Sequence, residues 1–505
     1  MNTPPLIGKQ TEILYIPDHK NIIVTGSAGS GKSLLAIYRA YWLAKAYPSE
    51  KILLLTYNNP INKDISQRLK SLARQRNERF PTNLTINTYY SFCKQYLKDV
   101  GSNKAINTNH IKTYLNKNGD ALPANTQKYK EADIQAALKN VSKKYPYEST
   151  FNRPVSIFYD EITWIQDMAI SSLEEYVESV RIGRQGTRIE RKNRKYFFEI
   201  YQEYLRIRSM KSSPRYYDFA DIGHVVRHIV NKLDTKYDVQ LQAEYKYNYI
   251  LIDEFQDFSL GMLQTIASVL DKKGSYTLLG DSAQGVFGRR IPWKNTGFTN
   301  YKKYELNRNY RNSKEISELA EMIADTKYFD KNNEFYVRSL NSTRPGTYPL
   351  VRQFVSETEE VEWIIKALKQ IPKTYTACVI VPENRANSLK YAFRRHDINI
   401  KYVTDNFNED KSNLSYSTYN TVKGLEFDIV ILGFLGSRVL TELLKRRNPE
   451  ATSLSEVRED LEMYSTHLYV GVTRAKHGLF ISYSGSVSPL FPIKYIEKYP
   501  EGGLK

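Results

Sequence analysis

Two stretches of this chain combine residue types that together could handle a chain of phosphates. GSAGSGKS, residues 26–33, fits the pattern G-x-x-x-x-G-K-[ST] and lies between an apolar run, NIIVT, and a helix-like segment, LLAIYRAYWLAKAY. In that setting the backbone N–H groups of Gly26, Ser27, Ala28, Gly29, Ser30 and Gly31 can wrap phosphates, Lys32 can reach the β and γ oxygens, and Ser33 can ligate magnesium. YNYILIDEFQD, residues 247–257, ends an apolar run in adjacent carboxylates. Asp253 is suited to hold magnesium through water, and Glu254 to polarise an attacking water. The two motifs together imply hydrolysis of a nucleoside triphosphate rather than binding alone.

The elements that must position these residues are legible around them. NIIVTG at 21, KILLLTY at 51, YILIDE at 249 and YTLLGD at 276 are apolar without alternation and end in small, polar or acidic residues. Strands of a buried parallel sheet read this way, and such sheets gather functional residues at their carboxyl ends. From 98 to 215 the chain changes to charged, amphipathic helix-like segments, which predicts a helical insertion between two halves of the first sheet. Within it RIGRQGTRIERKNRK carries Arg181, Arg184, Arg188, Arg191 and Arg194, either a solvated face or a contact for phosphate or nucleic acid. A second α/β region starts near 320, with strands expected in ACVIVP, INIKYV, DIVILGF and GLFISYS. The expected fold is α/β, with two parallel-sheet domains, the first carrying the P-loop. Residues 1–97 and 216–320 form the first, 98–215 the insertion and 321–505 the second.

Composition narrows the partners. Lys+Arg 73 against Asp+Glu 55 gives a net charge of +18, which favours a polyanion, and 40 tyrosines offer surface for stacking bases. Two distant cysteines, Cys93 and Cys378, support neither a disulfide framework nor a metal cluster. The N-terminal residues lack a basic region followed by an apolar run, and no apolar stretch reaches 18 residues, so a cytoplasmic protein without membrane contact is expected.

The P-loop together with Asp-Glu-Phe-Gln-Asp at 253–257 resembles superfamily 1A helicases of the UvrD/Rep/PcrA type. Further stretches resemble that family's motifs in order. They are LIGKQTEIL, ILLLTYNNPINKDISQRL, LTINTYYSF, YYDFADIGHVV, LLGDSAQGVFGRR, LNRNYRNSKEI, TYNTVKGLEFDIVIL and LYVGVTRAKHGLFI. The resemblance runs from residue 10 to about 483. It implies two RecA-like domains, ATP and Mg2+ as cofactors, and single-stranded or tailed duplex DNA as substrate, with movement 3′ to 5′. Gln10 is similar to the glutamine that reads adenine, Tyr310 to the aromatic that stacks on it, and Glu426 to the ribose contact. Arg311 and Arg474 resemble the arginines at the ATP cleft, and Gln284 the sensor coupling γ-phosphate to the bound strand. Tyr57, Thr88, Tyr89, Phe287, Arg289, Arg290 and Trp293 are the corresponding candidates for nucleic-acid contact.

The chain also departs from that family. YVTDNFNEDKSNLSYSTYN passes from strand to motif through a short polar loop where relatives carry an inserted 2B domain. Leu34 and Asn420 stand where relatives often have arginine and histidine, and Arg289 stands where they have a base-stacking tryptophan. The resemblance implies a DNA translocase or helicase. The alternative is a nucleic-acid-gated ATPase that governs a partner nuclease, as in an anti-phage pair of the Gabija kind, with the partner replacing the missing domain. An RNA helicase of the same superfamily is a third possibility, against which the DEFQD sequence argues.

Overall fold

The computed structural model describes residues 3–106, 112–116, 121–122, 124–179, 181, 189–210, 216–281, 293–329, 337–338, 342, 344–403, 413–447 and 457–499. Gln284, Phe287, Arg289 and Arg290 lie outside them, as do Arg184 and Arg188.

The first sheet contains β1 (Asn21–Gly26), β2 (Ile52–Thr56), β3 (Leu84–Thr88), β4 (Tyr247–Asp253), β5 (Leu270–Gly280) and β6 (Tyr301–Leu306). All pairings are parallel, in the order β3-β2-β4-β5-β1-β6. β1, β2, β4 and β5 are the four apolar runs, and the ends of β1, β4 and β5 carry the P-loop, Asp253 and Asp281 to one edge. Helices α1 (Lys9–Leu14), α2 (Lys32–Ala46), α3 (Asn59–Gln75) and α4 (Tyr89–Ser102) follow in the first part of the chain. Asn58 and Thr88 cap α3 and α4 by accepting backbone N–H bonds with their side chains, which fixes where each helix leaves its strand. Buried Arg39 of α2 donates to the carbonyls of Ile13, Leu14 and Ile16 and to Thr277, tying the end of α1 to the sheet.

Between α4 and β4 run α5 (Gln127–Ser142), α6 (Val155–Asp167), α7 (Leu173–Glu178), α8 (Arg194–Ser209), α9 (Ile222–Lys236) and α10 (Val239–Glu244). The first four of these share a core of their own around Phe158, Tyr176 and Phe197, whereas α4 and α9 pack on the first sheet. A buried polar knot joins the two. Asp218 accepts from Gln166 and Tyr204 at 2.9 Å and lies 3.1 Å from Lys130, while Arg208 reaches Asp221 at 2.5 Å. Burial would raise the Asp218 carboxyl, but Lys130 and Arg208 outweigh it and hold the group well below its usual range.

The arginine-rich segment is in part structural. Buried Arg181 pairs with buried Glu161 through two bonds, and Arg194 donates to the carbonyls of Tyr176, Val177 and Ser179 at the end of α7. These two arginines are therefore withdrawn from nucleic acid, because both are buried and bonded inside the helical core. Arg191 is exposed.

α11 (Leu260–Ser268) follows β4, and α12 (Lys314–Ala324) leads into the second sheet. Its strands are β7 (Leu350–Phe354), β8 (Ala377–Val381), β9 (Lys401–Tyr402), β10 (Leu414–Thr418), β11 (Phe427–Leu432) and β12 (Ala475–Ser484). They are again all parallel, in the order β7-β12-β11-β8-β10-β9. α13 (Glu357–Gln370), α14 (Glu383–Arg395), α15 (Ser437–Arg447), α16 (Arg458–Thr473) and α17 (Ile493–Lys498) complete this half. Only residues 403–413 connect β9 to β10.

Replacing Asp218 by Ala leaves Lys130 and Arg208 buried without that carboxylate. The unfolding free energy, measured in denaturant, is expected to fall by about 3–5 kcal/mol.

Candidate active site

The sheets meet at a cavity of about 350 Å3, lined by Lys32, Ser33, Glu254, Tyr310, Arg311 and Glu426 among others. The P-loop forms its floor. Gly31 has φ +83°, and a Cβ there would stand 2.3 Å from Gln10 Nε2. The loop can therefore close against Gln10, whose Nε2 donates to the Ser30 carbonyl at 2.9 Å while its Oε1 accepts from the Ile7 N–H. Lys32 turns back on its own loop, donating to the carbonyls of Gly26 at 2.8 Å and Ser27 at 3.0 Å, with Asp281 4.0 Å away. Burial lowers its pKa, and Asp281 and Glu254 oppose that shift.

Asp253 is fully buried. Neither carboxylate oxygen has a hydrogen-bond donor in range, although the Ser33 hydroxyl lies close enough to ease its charge. Desolvation, then the neighbouring Glu254, pushes the Asp253 carboxyl up to about 7. A buried carboxylate short of donors beside a hydroxyl is the oxygen set a magnesium ion would complete, so Asp253 and Ser33 fit that ion. Glu254 has a left-handed backbone, φ 55°. Gln256 orients it, donating to Glu254 Oε2 at 2.6 Å and accepting from the Asp281 N–H at 2.9 Å. Burial would raise Glu254, but Lys423 and Lys32 outweigh it and hold it ionised.

The second half of the chain supplies the cations. Arg474 is 1% exposed and donates to the carbonyls of Val470 and Leu425; burial lowers its pKa to about 10. Arg311, between β6 and α12, pairs with Glu426, and its Nε has no acceptor. Burial would raise Glu426, yet Arg311, Lys476 and Arg474 hold it at about 2. Lys423 crosses to Asp257, 2.5 Å away, and both are buried. Gly424, at φ +82°, lets Ile61 of α3 approach to where a Cβ would stand 2.4 Å from it. Tyr310 is 38% exposed at the cavity wall, its N–H bonded to the Gly29 carbonyl.

The sequence therefore anticipates the residues at the cleft but misses those that hold them. Asn312, fully buried, donates to the carbonyls of Thr473 and Ala475, the two neighbours of Arg474. Asn309 in turn bonds Asn312 and the Arg311 N–H. The repeated asparagines of LNRNYRN are the one signal that could have found them. Gln256, Asp281 and Lys423 likewise act at the cleft without having been singled out.

The candidate strand contacts do not share one surface. Thr88 is 6% exposed and caps α4, and Tyr89 is 4% exposed with its ring against Phe258. Tyr89 is thereby corrected to a core residue, since a ring on the inner side of α4 has no face left for a base. Half-buried Tyr57 packs edge-on to Phe258, and Trp293 packs against Phe255 and Tyr301. The outward ring is the next one, Tyr90, which lies 4.7 Å from Phe219, itself 52% exposed, with Lys94 over Tyr90 at 5.7 Å.

Asn312→Ala removes the two bonds that flank Arg474. The kcat for nucleotide hydrolysis is expected to drop by about tenfold or more while KM changes less, if the lost interaction orients Arg474 for the transition state. Steady-state kinetics with the folded variant checks this.

Two family models match the chain. The UvrD/REP helicase N-terminal domain covers residues 8–309, and the UvrD-like helicase C-terminal domain covers 304–407 and 400–486. A probable DNA helicase of Mycoplasma pneumoniae is 23% identical over 494 residues, which is 95% of this chain and 84% of that protein. DNA helicase II of Haemophilus influenzae is 23% identical over 63% of this chain, and the ATP-dependent DNA helicase PcrA of Staphylococcus aureus 20% over 71%. The chain spans 40% and 45% of those last two relatives. With both models matched in order across nearly its whole length, the chain belongs to the UvrD/Rep/PcrA-type superfamily 1 helicases, which are ATP-hydrolysing enzymes.

Proposed function

We propose that this chain is an ATP-driven translocase on single-stranded DNA that moves 3′ to 5′, with two motor domains, 1–97 with 216–320 and 321–505, around an insertion of 98–215. The observation that carries this reading is the division of the cleft, with carboxylates from the first sheet and Arg474 and Lys423 from the second.

In this mechanism Lys32 leaves the Gly26 and Ser27 carbonyls for the β and γ oxygens of ATP. Asp253 and Ser33 would hold magnesium, which when bound supplies charge neutralisation to the phosphates. Glu254, kept ionised by Lys423 and Lys32, accepts a proton from the attacking water. Arg311 and Arg474 approach the γ-phosphate as the sheets close and stabilise developing charge, a contribution of about 10³ to 10⁵ in rate. Gln284 couples that state to the strand, and Tyr310, Gln10 and Glu426 hold the nucleoside. Tyr90 and Phe219, with Lys94 beside them, offer bases a stacking platform.

The short link between β9 and β10 favours translocation over unaided duplex unwinding, because relatives insert the domain that governs unwinding there. It also supports the second reading, an ATPase whose partner, such as a defence nuclease, occupies the vacated place.

ATPase rates with and without single-stranded DNA, RNA and duplex, followed by strand displacement on 3′- and 5′-tailed substrates, test the proposal. Stimulation by single-stranded DNA and a requirement for the 3′ tail are expected; no stimulation by any nucleic acid would refute it. Glu254→Gln is expected to keep ATP binding and lower kcat by about 10² to 10⁴. Phe219→Ala should weaken single-strand binding by about 1–3 kcal/mol, read by fluorescence anisotropy.

A further inference from the structure

One surface of the second half takes no part in the cleft. Helix α14 buries Leu389 and Phe393 against the sheet and turns Lys390, Tyr391, Arg394 and Arg395 outward, Tyr391 being 68% exposed. The chain then returns through 396–400 into β9, whose first residue, Lys401, is also exposed. Residues 384–402 hold a single acid, Asp397.

Four cations are clustered on this face around an exposed aromatic ring. The side chains of Lys390, Arg394, Arg395 and Lys401 make no salt bridge or hydrogen bond among the described residues. Several neighbouring arginines are engaged: Arg385 with Glu357 and Glu442, Arg438 with Glu442, Arg447 with Asp460 and Arg458 with Glu462. A helix carrying cations on its outer face without the acids that would normally lace it has charge left over for an external polyanion. The exposed ring of Tyr391, one residue from Lys390 and three from Arg394, adds a flat apolar surface that a phosphate-rich single strand can use and an acidic peptide does not require. β9 is the edge strand, three strand spacings or about 14 Å from β11, so this face is separate from the Arg474 and Glu426 side of the cleft.

We infer that the outer face of α14, continued by Lys401, is a second, sequence-independent binding site for the backbone of a single-stranded nucleic acid. It tethers a length of strand that the motor cleft does not engage. This goes beyond the motor reading and does not depend on it, because it is measured by binding without nucleotide.

The test compares K390A/R394A/R395A with the wild-type chain, both checked for equal thermal unfolding, on oligothymidylates of about eight nucleotides and of several times that length. For the long strand, affinity is expected to fall and the slope of log K against log salt to shrink by about 2, three phosphate contacts at about 0.7 each. Short-strand affinity and short-strand ATPase stimulation should stay unchanged. Tyr391→Ala should weaken long-strand binding with the salt slope preserved. Wild-type long-strand affinity and slope in the triple variant would overturn the proposal, whether the face then proves to bind an acidic protein or only solvent. Equal losses on short and long strands would also overturn it, since the face would then belong to the motor track.

Discussion

The ion pair between Lys423 and Asp257 is the constraint on which the cleft depends. Both groups are buried, 2% and 1% exposed, and each comes from a different sheet's neighbourhood. Neither charge is tolerable alone in that setting, because desolvating an isolated ion costs several kcal/mol. The same logic extends outward. The first sheet concentrates Asp253, Glu254, Asp257 and Asp281 at its carboxyl edge, and the second contributes Lys423, Arg474 and Lys476. Each set repels itself, and bringing the two together relieves both. In this structure the Lys423–Asp257 pair joins residues of the two sheets across the cleft.

That organisation explains the state of individual groups. Lys32 rests on loop carbonyls and Arg311 on Glu426, so each has a neutral or anionic partner to leave when phosphate arrives. Asp253 is raised by its burial and then by the neighbouring Glu254, effects that Ser33 and Lys32 only partly offset. In the proposed mechanism the cations exchange partners on binding, whereas the carboxylate gains one.

Much of this was legible in the sequence, for identifiable reasons. β1, β2, β4, β5, β8 and β11 are buried on both faces and so read as unbroken apolar runs. β6, YKKYEL, and β7, LVRQF, lie at sheet edges with exposed charged residues, and their composition hides them. The P-loop and the acidic pair are contiguous, so pattern suffices. Asn312, Gln256 and Lys423 matter through what they reach across space, and nothing local marks them. Tyr89 and Tyr90 show the same limit: of two adjacent, identical side chains at the start of a capped helix, one is buried and the other half-buried beside exposed Phe219, and only the helix geometry decides which. Arg181 and Arg194 look like a cationic patch because a linear run cannot show that Glu161 and three helix-end carbonyls are waiting for them.

The left-handed backbone at Glu254 has a consequence for how this molecule can change. A glutamate there carries steric strain of about 1 kcal/mol or more that glycine would avoid and asparagine would reduce. The position proposed to activate water is thus one where the fold would prefer another residue. A glycine or asparagine there would relax the backbone and make the fold sturdier, but at the cost of the carboxylate.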